Sequence, residues 1–174
     1  MKQIKIDSWI FWTLVICAFS FLYYQISKYY LIKNKTTSEL ERSITTVIWE
    51  LNKRDIKLTR KKLIVQFFDQ NNTEYRLLRG AVGFTYNGLS QDYILIERTY
   101  FKQSTDEVRE ALLLHEIGHA LGLKHVWGFS NISQDGTIFS YCPTSVMHPS
   151  DPIDNCFYRF RNYYYSQIVD MLKK

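Results

Sequence analysis

The sequence has no internal repeat and no low-complexity tract, which excludes repeat solenoids and compositionally biased linkers. It also lacks a concentrated positive charge: the net charge is +5, and the lysines and arginines are dispersed. Lys57, Arg60, Lys61 and Lys62 form the densest group, just before an apolar run. They read as a solvated loop entering a strand, with anionic lipid headgroups as the alternative contact. No nucleic-acid module is recognisable, and the string FYRFRNYYY (Phe157 to Tyr165) suits an amphipathic helix, so no nucleic-acid partner is expected. Cysteine is scarce, with three in the chain. Cys17 sits inside an apolar stretch, which leaves Cys142 and Cys156 as a candidate disulfide if the domain is exported, or as two buried thiols if it is not. There are only four histidines, all between His115 and His148.

Charge is also missing from one long segment. Trp9 to Ile26 holds no charged residue in 18 positions. As a helix it would be roughly 27 Å long, close to the hydrocarbon thickness of a bilayer. Lys2 and Lys5 precede it, and Lys28, Lys33 and Lys35 follow; Trp9 and Trp12 at one end and Tyr23, Tyr24, Tyr29 and Tyr30 at the other resemble interfacial belts. Residues 1–32 therefore read as a membrane anchor or signal segment. Ala18-Phe19-Ser20 offers small residues for signal peptidase, but the apolar run continues through Tyr24, which favours an uncleaved anchor. The expected placement is membrane-anchored with the domain extracytoplasmic, and the alternative is secretion after signal cleavage.

Residues 33–37 form a short polar linker, and one α+β domain is expected over 38–174. Leu40, Ile44, Val47, Ile48 and Leu51 recur at helical spacing after Ser38. LIVQFF (Leu63 to Phe68) reads as a buried strand, and EYRLL (Glu74 to Leu78) as a second strand after the Gln70-Asn71-Asn72 turn. AVGFTY (Ala81 to Tyr86) and YILIE (Tyr93 to Glu97) are two further strand candidates. Ser104 or Thr105 can cap a helix whose first turn carries Asp106 and Glu107 and which runs to Gly122. An irregular loop and a closing helix, Phe157 to Leu172, follow.

The chemistry-bearing stretch is HEIGHALGLKH, residues 115 to 125. His115 and His119 are four apart, so on a helix they share one face and can bind one zinc ion. Glu116 is angled to reach a water on that ion without itself being a ligand. Gly122 can adopt the left-handed backbone that stops the helix, which lets the chain bring His125 back as a third ligand. Three neutral nitrogens leave one tetrahedral position open, as in a catalytic site. A structural site needs a fourth donor, for which Cys142 and His148 are available.

HEIGHALGLKH, followed 22 residues after His125 by Met147 in SVMHP, resembles the metzincin zinc endopeptidases, closest to their matrixin branch. The resemblance covers roughly residues 60 to 172 and is specific from Leu112 to Pro149. It implies a small zincin domain: a twisted mixed sheet with an active-site helix and a C-terminal helix. It further implies one catalytic Zn²⁺ on His115, His119 and His125, Glu116 as general base, and Met147 as a floor beneath the metal. Ala81, Val82, Gly83 and Phe84 would pair with extended protein or peptide substrate, and Pro149 would wall a side-chain pocket. The function implied is peptide-bond hydrolysis by a zinc-bound water that Glu116 activates. A membrane-tethered, zinc-stabilised binding protein without catalysis is the alternative. The chain departs from the family in two respects. Pro149 stands where astacins and serralysins carry a zinc-binding tyrosine, and no cysteine between Ile32 and Arg60 supplies the latency switch of animal matrixins. A second zinc site and calcium sites are not locatable; Asp69 to Thr73 lacks the calcium-loop glycine.

Overall fold

The computed structural model describes residues 38–58, 63–78, 80–88, 91–134, 137–149 and 154–174. The anchor or signal segment expected at 1–32 and the linker at 33–37 lie outside them. Among the described residues no helix is long and apolar enough to cross a membrane.

Helix α1 (Ser38–Asn52) buries Leu40, Ile44, Val47 and Leu51 completely, because their three- and four-residue spacing makes a single stripe. Its opposite face carries the exposed Trp49, with the Lys53 ammonium over its ring. Strand β1 (Leu63–Phe68) is apolar almost throughout, as a strand covered on both faces must be. β1 pairs in parallel with β3 (Asp92–Glu97), and β3 pairs antiparallel with β2 (Gly83–Asn87), so the mixed sheet has the order β1-β3-β2 and β2 is an edge. Tyr86 and Tyr93 are register partners whose rings stack at 4.7 Å.

EYRLL is not a strand. Thr73–Leu78 forms a short 3-10 helix, entered by a turn in which Asn72 N–H donates to Asp69 C=O and continued by Tyr75 N–H to Asn72 C=O. The place beside β1 is taken by β3, and Leu77 is fully exposed, so no apolar face was there to bury. Two further features went unread. A one-and-a-half-turn helix, α2 (Arg98–Gln103), leaves β3 directly, capped by the Glu97 carboxylate, which accepts from Tyr100 N–H. The expected irregular loop after His125 contains a hairpin, β4 (Phe129–Gln134) and β5 (Thr137–Pro143), paired antiparallel with an irregularity between Ser130 and Ile132.

Helix α3 (Asp106–Ala120) is capped by Thr105, whose hydroxyl accepts from Val108 N–H, and it is buried along Ala111, Leu112, Leu113, Leu114 and Ile117. Helix α4 (Asp154–Leu172) closes the described chain, with a non-helical break at Phe160. The three long helices are joined at one point. Arg161 of α4 reaches Glu50 of α1 at 3.2 Å and Glu110 of α3 at 2.6 Å, and Tyr165 donates to the same Glu110 carboxylate. A Cys142–Cys156 disulfide links β5 to α4. α3 is thus clamped between the sheet and the other helices, with its histidine-bearing end against β2 and the turn around Met147.

Candidate metal centre

His115 and His119 project from one face of α3, a turn apart, and their Nε2 atoms lie 3.0 Å from each other. His125 arrives after a chain reversal that starts at Gly122, where φ is +89°. Leu123 N–H returns to Gly118 C=O and Gly122 N–H to His119 C=O, the paired bonds of a helix stop that needs a left-handed residue. His125 Nε2 then comes within 3.0 Å of His119 Nε2. A tetrahedral ion with bonds of about 2.0–2.1 Å would hold nitrogens about 3.3 Å apart, so the cluster has nearly the dimensions of three corners of a zinc site.

The outer ring nitrogens explain why the inner ones are available. His115 Nδ1 lies 2.8 Å from Val146 C=O and His119 Nδ1 lies 2.8 Å from Leu123 C=O. A carbonyl only accepts, so each Nδ1 carries the proton and each Nε2 presents a lone pair. Burial pushes the His115 pKa down to about 4 against the opposing pull of the Val146 bond, so this ring is neutral at physiological pH. Burial also lowers His125. Bare lone pairs at such spacing repel unless a cation lies among them. The three residues can hold a metal ion, with a donor set compatible with zinc.

The turn around Met147 holds this arrangement from below. Ser145 Oγ accepts from Met147 N–H, and His148 N–H closes the turn on Ser145 C=O. Two successive carbonyls of the turn then serve the cluster: Val146 C=O accepts from His115 Nδ1–H, and Met147 C=O accepts from Val126 N–H, beside His125. The Met147 side chain is fully buried. Its sulfur occupies the space that a side chain on Gly118 would fill, since a Cβ there would lie 2.4 Å from Sδ. The four-ligand alternative loses both its donors. Cys142 is bridged to Cys156, and His148 packs its ring against Phe129 at 4.6 Å and Trp127 at 5.6 Å. Among the described residues, the one group of clustered metal-binding side chains is His115, His119 and His125.

A cleft of about 540 Å³ opens over the cluster. It is lined by all three histidines, Glu116, Pro149 and a run of β2 and its approach that includes Ala81, Val82, Gly83 and Phe84, so these expected site residues share one cavity, while Met147 is not part of its lining. Glu116 is 4% exposed, and burial raises its pKa to about 7 while a hydrogen bond from Thr85 opposes the rise. Alternate residues of β2 meet α3: Gly83 lies over the Glu116 carboxylate, Thr85 donates to it, and Asn87 reaches Ala120 C=O. The outer edge of β2 has no strand partner among the described residues.

No family model, curated protein or solved structure matches the chain. The functional reading therefore rests on the site itself.

Sequence reasoning did not find Thr85, Val146 or Gly118. Thr85 and Val146 each act from 31 residues away, through a fold contact without a sequence period. Gly118 did leave a signal: a glycine inside a helix costs about 1 kcal/mol relative to alanine, so its presence marks a close approach.

Proposed function

We propose that the chain is a zinc-dependent endopeptidase of the metzincin type, closest to the matrixin branch, with His115, His119 and His125 as ligands and Glu116 as general base. One observation carries the reading: three histidine Nε2 atoms converge beside a buried carboxylate in a cleft bordered by a strand edge with no strand partner among the described residues. A zinc ion held by the three rings would supply Lewis acidity and bring a water's pKa into the neutral range. Glu116 accepts the proton of the attacking water and delivers it to the leaving amine nitrogen. Its low exposure keeps competing solvent away, and its raised pKa suits an acid–base group that works near neutrality. The outer edge of β2 offers backbone donors and acceptors to an extended peptide, and Phe84 and Pro149 border its side chains.

Disulfide bonding of Cys142 to Cys156 supports an oxidising compartment, and we propose on that basis that the domain lies outside the cytoplasm, tethered through residues 1–32. Protection of the domain from protease added to intact cells would oppose that placement.

The test is to purify the full chain in detergent, measure its metal, and assay cleavage of casein and a quenched peptide library with and without chelator. Expected are one zinc per chain and chelator-sensitive cleavage, with Glu116→Ala retaining zinc and losing nearly all turnover. Zinc bound without any cleavage would instead mean a zinc-stabilised binding protein.

A further inference from the structure

His115 and His119 are each held by a backbone carbonyl, and the Glu116 carboxylate needs an equivalent. It stands at the end of a long side chain with three rotatable bonds, and a base that wanders loses its alignment with the water. What holds it is not on its own helix. Thr85 Oγ lies 2.6 Å from Glu116 Oε2 and 3.0 Å from the Glu116 backbone carbonyl oxygen. Thr85 thus touches both the carboxylate and the helix that carries it. Its own position is fixed from behind: β2 pairs it with Ile94, which is fully buried in the middle strand. Being β-branched, Thr85 also has a stiff first side-chain torsion.

The other carboxylate oxygen is placed by a different device. A Cβ at Gly83 would lie 2.3 Å from Glu116 Oε1 and 2.8 Å from its carboxyl carbon. The carboxylate occupies the space that any side chain at 83 would claim, so only glycine admits it there.

We propose that Thr85 and Gly83 of the edge strand form a seat that positions the Glu116 carboxylate, with Thr85 binding Oε2 and Oε1 left for the reacting water. The proposal rests on the peptidase reading and adds two positioning residues to it. In this arrangement the strand that borders the substrate cleft also aligns the base. A substrate segment pressing on β2 therefore bears on the strand that holds Glu116 in line.

The test compares zinc-loaded full-length wild type with Thr85→Val, Thr85→Ser, Gly83→Ala, Glu116→Ala and the Thr85→Val/Glu116→Ala double variant. Zinc content, kcat and KM on a quenched peptide, and melting temperature are read for each. Thr85→Val is expected to keep its zinc and a KM within about twofold while kcat falls roughly ten- to a hundredfold, less than the loss of the base itself. Thr85→Ser restores most of the rate because it restores the hydroxyl. Gly83→Ala lowers kcat with zinc retained. Adding Thr85→Val to Glu116→Ala does not lower the residual rate further, because no carboxylate is left to align, whereas a merely structural role would lower the rate in both backgrounds. A wild-type kcat in Thr85→Val, or an undiminished effect of that substitution in the Glu116→Ala background, overturns the positioning role alone. Absence of cleavage by the wild-type chain overturns the peptidase reading and the positioning role together.

Discussion

Met147 sulfur sits in the place of a side chain that Gly118 does not have, one residue before the candidate ligand His119. Methionine and glycine are complementary here: the helix backbone is bare where the sulfur comes closest, and Met147 C=O in turn holds the strand of chain beside His125. Candidate metal ligands on two different segments are therefore referred to a single buried side chain.

Gly118→Ala puts a methyl group within 2.4 Å of that sulfur. The helix gains up to about 1 kcal/mol in propensity, but overpacking a fully buried neighbour costs about 1–3 kcal/mol. A net loss of about 1 kcal/mol is expected, visible as a lower midpoint in urea, together with weaker zinc retention against chelator. A more stable variant with unchanged zinc affinity would show that Met147 relocates freely.

Glu116→Gln has a pH-dependent effect whose sign follows from burial. The folded-state pKa of Glu116 is raised by burial to about 7 from its ordinary value of 4.5, so between those limits the folded chain binds the extra proton. Its contribution is neutral below about pH 4.5, grows steadily more destabilising between about 4.5 and 7 as the unfolded chain alone loses the proton, and is constant above about 7. Metal-free Glu116→Gln should match the metal-free wild type at pH 4.5 and exceed it by about 2–3 kcal/mol at pH 8. Parallel stability curves for the two proteins over that range would refute the burial of an ionised carboxyl.

Cys142 and Cys156 are 14 residues apart in sequence and close a loop of that size. The chain-entropy account gives such a closure about 3 kcal/mol. Dithiothreitol, or the Cys142→Ser/Cys156→Ser pair, should lower the melting temperature of the wild type substantially. Reductant should then have no further effect on the double variant.

Arg161 joins two carboxylates from different helices, Glu50 at 3.2 Å and Glu110 at 2.6 Å, and Glu50 is nearly buried. Arg161→Met leaves Glu50 with Arg54 and Lys53, but leaves Glu110 with Tyr165 alone among these partners. Because Arg161 is about one-third exposed, the loss is expected at about 2 kcal/mol rather than the larger figure for a fully buried pair. Denaturant titration measures it, and a change under about 0.5 kcal/mol would place the network among the surface ion pairs.

The parts that were readable in the chain were the local ones. His115 and His119 share a face because helix geometry is the same everywhere, and Gly122 ends that helix because the stop is decided by one backbone angle. The stripe of α1 was legible for the same reason. EYRLL was misread because five residues without a period cannot distinguish a strand from a single 3-10 turn, and fold context decided the matter. The β4–β5 hairpin is made by backbone pairing that a search for apolar alternation passes over. Met147 entered through family resemblance alone; nothing in its own spacing announces the carbonyl beneath His115. The seat of Glu116 was unreadable in principle, because Thr85 and Glu116 meet only once β2 has been laid across α3.

The disulfide has a topological consequence under the proposed peptidase activity. Ser145, Val146 and Met147 lie inside the covalent ring closed by Cys142 and Cys156. A single backbone nick anywhere in that ring leaves α4 attached to the remainder of the protein. Self-cleavage there would be silent on a non-reducing gel, because the two pieces would stay joined through the disulfide.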